Sequence, residues 1–326
     1  MKKVSDKAKL KKIIEDTRLH PVPGTDVLKS LDEALEKSSK IGYPVMLKAA
    51  FGGGGRGIRL IKSPEAMKKE YPLAVSESES AFGDGSLYIE KFIFPARHIE
   101  MQVLADEVGH VVCLGERDCS VQRRHQKLIE ESPSPGVSRE QRARLISDVT
   151  DAVKKIGYCG VGTMEFLMDR LGNFWFMEMN VRLQVEHCVT ETLTRLDLVK
   201  WQIRTSAGIT LPFKQEDISL RGSSIECRIT ALAPGVLQSC HIPGGPFLRF
   251  DGGVIPGTVI SPFYDSLIGK LIVYAGTREE AVRKMKSALC EIVVNGIDTN
   301  IMEQLGIISD HRFSSGNYDL TLMEGR

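Results

Sequence analysis

A chain of 326 residues with 42% hydrophobic and 26% charged side chains is long enough for two domains and a sizeable core. Its 43 basic and 42 acidic residues leave a formal charge of +1, which argues against binding nucleic acid or a membrane surface through bulk charge. No stretch reaches the roughly 18 apolar residues of a membrane span, the Lys-rich start lacks the apolar core of a signal peptide, and seven scattered cysteines without a CxxC pair read as reduced thiols of the cytoplasm.

Residues 6–16 read as a short helix with Ala8, Leu10, Ile13 and Ile14 inward, and a second helix follows at about 29–40. Residues 43–50 form a strand with one embedded charge, Lys48, and 58–61 form another. Between them lies Phe51-Gly52-Gly53-Gly54-Gly55-Arg56-Gly57. Its flanks are strands, so it is neither a P-loop nor a dinucleotide fingerprint. Two readings remain: a surface hairpin, or a loop whose bare backbone N–H groups approach phosphates, with Lys48 adding a point charge. A lysine inside an apolar strand favours the second. Ser63 then caps a helix with Pro64 at its first position, and strands follow at 87–92, 98–105 and 111–115.

Residues 116–127 are the densest polar run. Glu116, Asp118, Glu130 and Glu131 would oppose a nucleic-acid backbone, so a pocket wall for a small anion is the better reading. Ser138 and Gln141 stand at capping-box spacing before a helix to 156.

The stretch from Gly162 to Glu191 carries most information. Met164, Phe166 and Met168 alternate with Glu165, Leu167 and Asp169; Phe174, Phe176, Glu178 and Asn180 alternate with Trp175, Met177 and Met179. Turn residues 169–173 make this a hairpin, with Glu165 roughly opposite Glu178. Facing carboxylates repel unless a proton or cation lies between them, and with Asn180 they offer the oxygen ligands that Mg²⁺ takes. An amphipathic hairpin with solvated acids is the alternative. Beyond it, 198–207 is a helix closed by Gly208, and composition shifts at 210–217. Strands are expected at 223–230, 247–250 and 268–274, and Thr277 and Glu280 form a second capping box for a helix to about 291.

Lys48, the Gly52–Gly57 loop, HIEMQVLAD at 98–106, GERDCSVQRRHQKLIEESPSP at 115–135, EMNVRLQVEH at 178–187, SSIECRI at 223–229 and SPFYDSLIGKL at 261–271 occur in one order and spacing. Together they resemble biotin carboxylase, the ATP-grasp component of biotin-dependent carboxylases such as the acetyl-CoA carboxylase of fatty acid biosynthesis. The resemblance covers essentially the whole chain. It implies an α+β fold: an ATP-grasp domain at 1–209 with a mobile glycine-rich lid at about 22–92, then a smaller α+β C-terminal domain at 210–326. It also implies the reaction. Bicarbonate is phosphorylated by ATP with Mg²⁺ or Mn²⁺ to carboxyphosphate, and the carboxyl group passes to biotin on a carrier protein.

Matched position by position, the resemblance assigns Glu165, Glu178 and Asn180 to the metal. Lys7, Lys48, Gly53, Gly54, Gly55, Arg56, Gly57, Glu90, Lys91, Ile93, His98, Gln122, His125 and Leu167 fall to the nucleotide. Arg182, Gln184 and Val185 fall to bicarbonate, with Glu186 as base, Lys127 at the carboxyphosphate end and Arg228 on the biotin enolate. Implied partners are the biotin carboxyl carrier protein, carboxyltransferase subunits and a second copy of the chain. The family's N-terminal domain precedes the region matched here and could come from a separate chain. Cys188 replaces the family's Pro, Arg195 its Gly, and Thr230–Pro234 its Asn-Ala-Glu-Asp-Pro. A non-catalytic nucleotide-binding paralogue and an ATP-grasp ligase with another acceptor remain as alternatives.

Overall fold

The computed structural model describes residues 7–50, 57–124 and 126–324, with side chains from Leu10 onward. Helix α1 (Lys7–Glu15) and the short strand β1 (His20–Pro21) lead into a small layer of α2 (Leu31–Ile41), β2 (Val45–Ala49), β3 (Ile58–Ile61), α3 (Pro64–Phe82) and β4 (Leu87–Lys91). The three strands form one antiparallel sheet in the order β3-β2-β4. Val45, Leu47, Ala49, Ile61, Leu87 and Ile89 bury one face against Ala34, Met67 and Ala74 of the two helices. Helix α3 starts as the sequence predicts, with Ser63 accepting from the Ala66 N–H and proline next to it, and in α2 Ser30 likewise accepts from the Glu33 N–H.

The rest is organised by one nine-stranded sheet, built from β1, β5 (Ala96–Ala105), β6 (Val111–Arg123), β7 (Gln126–Ser132), β8 (Gly160–Asp169), β9 (Phe174–Asn180), β10 (Ser223–Thr230), β13 (Leu248–Gly252) and β15 (Leu267–Ala275). Its order is β1-β9-β8-β5-β6-β7-β10-β15-β13. The intervening elements are α4 (Arg139–Ile156), α5 (His187–Thr194), α6 (Leu198–Ser206), β11 (Gly235–Val236), β12 (Ser239–His241), β14 (Val259–Ile260), α7 (Arg278–Glu291), β16 (Val293–Asn295), α8 (Ile301–Ser309) and α9 (His311–Ser314). The two expected capping boxes, at Ser138 and Thr277, are both formed. Helices and sheets are mixed throughout, as an α+β class requires.

Period-two alternation divides the large sheet into two faces. On one, Ile99, Met101, Val103, Met164 and Phe166 pack on Leu10 and Ile14 of α1 and on Leu145, Val149 and Val153 of α4. Farther along, Ile225, Cys227, Leu271 and Val273 pack on Ala281, Met285 and Leu289 of α7. The opposite face presents the residues that alternate with these, among them Glu100, Gln102, Glu165, Glu226 and Arg228, and they are buried or nearly so.

Two expectations need correction. The strand expected at 111–115 runs on to Arg123 as β6, most of it buried, and 126–127 open β7, so the polar run of 116–127 is largely strand. The even alternation expected along 174–180 is broken. Glu165 pairs with Glu178, but Phe166 pairs with Phe176, so Met177 is an extra residue in a β-bulge. Phe176 and Met179 therefore both enter the apolar core. Without the bulge, a one-residue slip would have sent Glu178 to that face. Helices α5, α8 and α9 add to the elements expected from the sequence.

Candidate active site

A cleft of about 1860 Å³ is lined from the small sheet by Lys48, Glu90, Lys91 and Ile93 and from the large one by His98, Gln122, Lys127, Glu165, Leu167, Glu178, Asn180 and Arg228. Arg182, Gln184, Val185 and Glu186, on the segment between β9 and α5, line it as well. Gly57 stands beside it with φ of +71°, a conformation that favours glycine, and an added Cβ would lie 3.0 Å from the Ala49 Cβ. Gly53, Gly54, Gly55, Arg56, His125 and the side chain of Lys7 lie outside the described residues.

The hairpin carboxylates are not bare. Glu165 accepts from Asn180 Nδ2 at 2.5 Å, from Gln184 Nε2 at 2.7 Å, and is 2.9 Å from His98 Nε2. Gln122 Nε2 donates to His98 Nδ1 at 2.6 Å, which leaves Nε2–H to face Glu165. Burial opposes ionisation of Glu165, but Lys127 and His98 outweigh it and bring its carboxyl down to about 2. The same bond raises His98 above its ordinary value although burial works against the imidazolium.

One step farther along the sheet, Lys127 joins three acids. It contacts Glu100, bonds Glu186 Oε1 at 2.6 Å and lies 3.8 Å from Glu165. Burial disfavours its charge, yet Glu100, Glu165 and Glu186 keep the ammonium well above the usual lysine range. Arg228 reaches the other oxygen of Glu186 at 2.9 Å and donates through Nε to Glu130 at 2.7 Å. Glu186 is thus gripped by two cations, one on each oxygen. Burial pushes Glu130 up to about 6 against the opposing pull of Arg228.

Several participants escaped the sequence reading. Arg117, with no exposed surface, donates to Glu100, Gln102, Thr163, Thr190 and Gln184 and so holds Gln184 in place. Glu100 and Glu130 are the buried counter-charges of Lys127 and Arg228. For Glu100 the signal is the one that singles out Lys48, a charge between apolar strand residues; Arg117 and Glu130 stand beside other charges and carry no such mark. Lys11 also lines the cleft, and its Nζ is buried without a hydrogen-bond partner among the described residues.

Other expected residues sit differently. Lys48 and Glu90 bond each other at 2.5 Å. The Lys91 ammonium is held by the Gly42 carbonyl at 2.7 Å. Arg182 is exposed on the cleft wall, donating to the Leu183 carbonyl at 3.3 Å.

Comparison with known proteins places this geometry. Residues 6–214 match the family model of the carbamoyl-phosphate synthase L chain ATP-binding domain, and residues 227–325 match that of the biotin carboxylase C-terminal domain. A biotin carboxylase of Haemophilus influenzae is 44% identical over 330 residues, covering 98% of this chain and 73% of that protein. The chain belongs to the biotin carboxylase family. Chloroplastic biotin carboxylase 2 of Populus trichocarpa is 48% identical over 97% of the chain, which spans 62% of that relative's length. The biotin carboxylase domain dimer of Hydrogenobacter thermophilus 2-oxoglutarate carboxylase, solved with MgADP, ADP and bicarbonate, superposes with a TM-score of 0.97 at 45% identity. The match covers 99% of this chain and 73% of that one. Biotin carboxylase from Campylobacter jejuni, in a β-γ-ATP complex, gives 0.95 at 44% identity, covering 98% and 73%. Among the described residues no helix is long and apolar enough to cross a membrane, and all seven cysteines are unpaired.

Proposed function

We propose that the chain carries out ATP-dependent carboxylation of biotin with bicarbonate, through carboxyphosphate. The observation that carries this is Glu186 fixed between Lys127 and Arg228, in a cleft that the same large sheet also lines with Glu165 and Glu178. A base, an anion-binding segment and a metal–phosphate end then share one cavity. The two domains of this reading are residues 1–209, with the lid at 22–92, and 210–326.

The residues present fit a hard divalent cation. Glu165 is held ionised, and the Asn180 amide nitrogen is engaged by Glu165, which leaves its carbonyl oxygen as the ligand atom. Glu165, Glu178 and Asn180 would hold Mg²⁺ or Mn²⁺, which when bound spreads charge over the transferring phosphoryl oxygens. Lys48 and Lys11 offer ammonium groups to the nucleotide once Lys48 exchanges Glu90 for phosphate. Arg182 orients bicarbonate with its planar fork, and Gln184, pinned by Arg117, fixes the segment's entry. Glu186 takes the bicarbonate proton as the oxygen attacks the γ-phosphorus and ADP leaves. Arg228 then stabilises the negative ureido oxygen as biotin N1 loses its proton to the departing phosphate and bonds the carboxyl carbon, whose bond to the phosphate oxygen breaks. Partners of this chemistry are a biotinylated carrier protein, a carboxyltransferase that uses the product and a second copy of the chain, in the cytoplasm.

The test is ADP release with MgATP, bicarbonate and free biotin. We expect it to require both co-substrates and to fall on the order of 100-fold or more in Glu186→Gln. MgATP binding by calorimetry with no bicarbonate-dependent ADP release would overturn the reading in favour of a nucleotide-binding paralogue.

A further inference from the structure

The side chain of Glu186 is held from two sides, but its backbone needs holding too, because it lies between an irregular segment and the first turn of α5. Glu186 is the N-cap of α5 and makes no side-chain cap bond, so the cap itself does not anchor it. Lys270, on β15 directly opposite Arg228 of β10, supplies the missing anchor. Its Nζ donates to the Val185 carbonyl at 2.8 Å and lies 2.8 Å from the Cys188 Sγ. These two contacts bracket Glu186 in the chain.

The obvious carboxylate partner is not what holds this ammonium. Asp251 lies 3.7 Å away and is engaged at 2.6 Å by Arg249, while the Cys188 thiol donates to Asp251 at 3.1 Å. Nor does the position serve the helix, since a cation at the N-terminal turn opposes the helix dipole. Resting on the carboxylase reading, we propose that Lys270 is a positioning residue, clamping the backbone on both sides of Glu186 so that its carboxylate meets bicarbonate in register with Arg182.

Lys270→Met tests this, because Met keeps the apolar stem and strands no carboxylate. Asp251 retains Arg249, and burial already keeps Glu226 well above the carboxylate range. The bicarbonate KM should rise on the order of tenfold, with the ATP KM within about twofold of wild type. Lys270→Arg, which keeps charge and donors, should recover part of the loss. Amide exchange at 185–189 should quicken in Lys270→Met. Unchanged bicarbonate KM and unchanged exchange would overturn the proposal, as would an equal rise in both KM values. A wild-type chain without bicarbonate-dependent turnover would remove the carboxylase reading, and the exchange measurement would still decide whether Lys270 clamps this segment.

Discussion

Both faces of the nine-stranded sheet hold fully buried side chains, and the two are held together by different physics. Phe166 and Met164 on one face, and Val149 of α4 packed against them, are fully buried apolar groups. Their stabilisation is non-directional and follows buried area. Arg117, Glu100 and Glu130 on the other are also fully buried, and each depends on particular partners. Removing one partner there leaves an uncompensated charge, so the polar face is worth little as a sum of parts and much as a set.

The largest expected effects test that contrast directly. Phe166→Ala should lower the unfolding free energy by about 3–5 kcal/mol through lost packing, and Arg117→Met should cost about as much, because one oxygen of Glu100 together with Gln102, Thr163, Thr190 and Gln184 loses a shared buried donor. The two should differ in a second substitution: Glu100→Gln should restore part of the Arg117→Met loss in urea titrations, whereas Phe166→Ala combined with the distant Leu289→Ala should be additive. Equal additivity on both faces would erase the distinction. Next in size, Glu178→Gln should reduce ATP cleavage by about 100-fold or more while changing stability by no more than about 1 kcal/mol; near-normal turnover would remove the metal role from the hairpin. The smallest effect is in pH. Glu165 titrates near 2 in the folded chain against an ordinary 4.5, so its ionic contacts stabilise the fold above pH 4.5 and that contribution fades as pH falls toward 2. The urea midpoints of wild type and Glu165→Gln should therefore converge over this interval, and a constant gap would show that the carboxylate is not held ionised.

The same contrast explains what the sequence discloses. The apolar face is written in alternation, and strands β2, β4, β5, β8 and β10 could be found from it. The capped helices α3, α4 and α7 announce themselves by Ser63, Ser138 and Thr277. The polar face has no such periodic mark: a run such as Glu116-Arg117-Asp118 looks solvated, and only its tertiary partners make it a buried strand. Likewise nothing local marks Met177 as the residue the ladder skips. Of the site, Glu165, Glu178 and Lys48 could be picked out from pattern alone. The assignments at Arg182, Glu186 and Arg228 came from the family resemblance, because the last stands more than forty residues from its partner Glu186 and no spacing rule joins them.

The pairing of β7 with β10 has a consequence for how the chain comes apart. Residues before and after the 210–217 connection contribute strands to one uninterrupted ladder, and the site straddles their junction. A polypeptide divided at that connection would yield two fragments, each with a naked strand edge and half of a charge cluster. Such edges recruit whatever strand is at hand. The fragments should be poor independent folding units but good mates for each other, with Glu130 and Arg228 meeting again as the ladder re-forms.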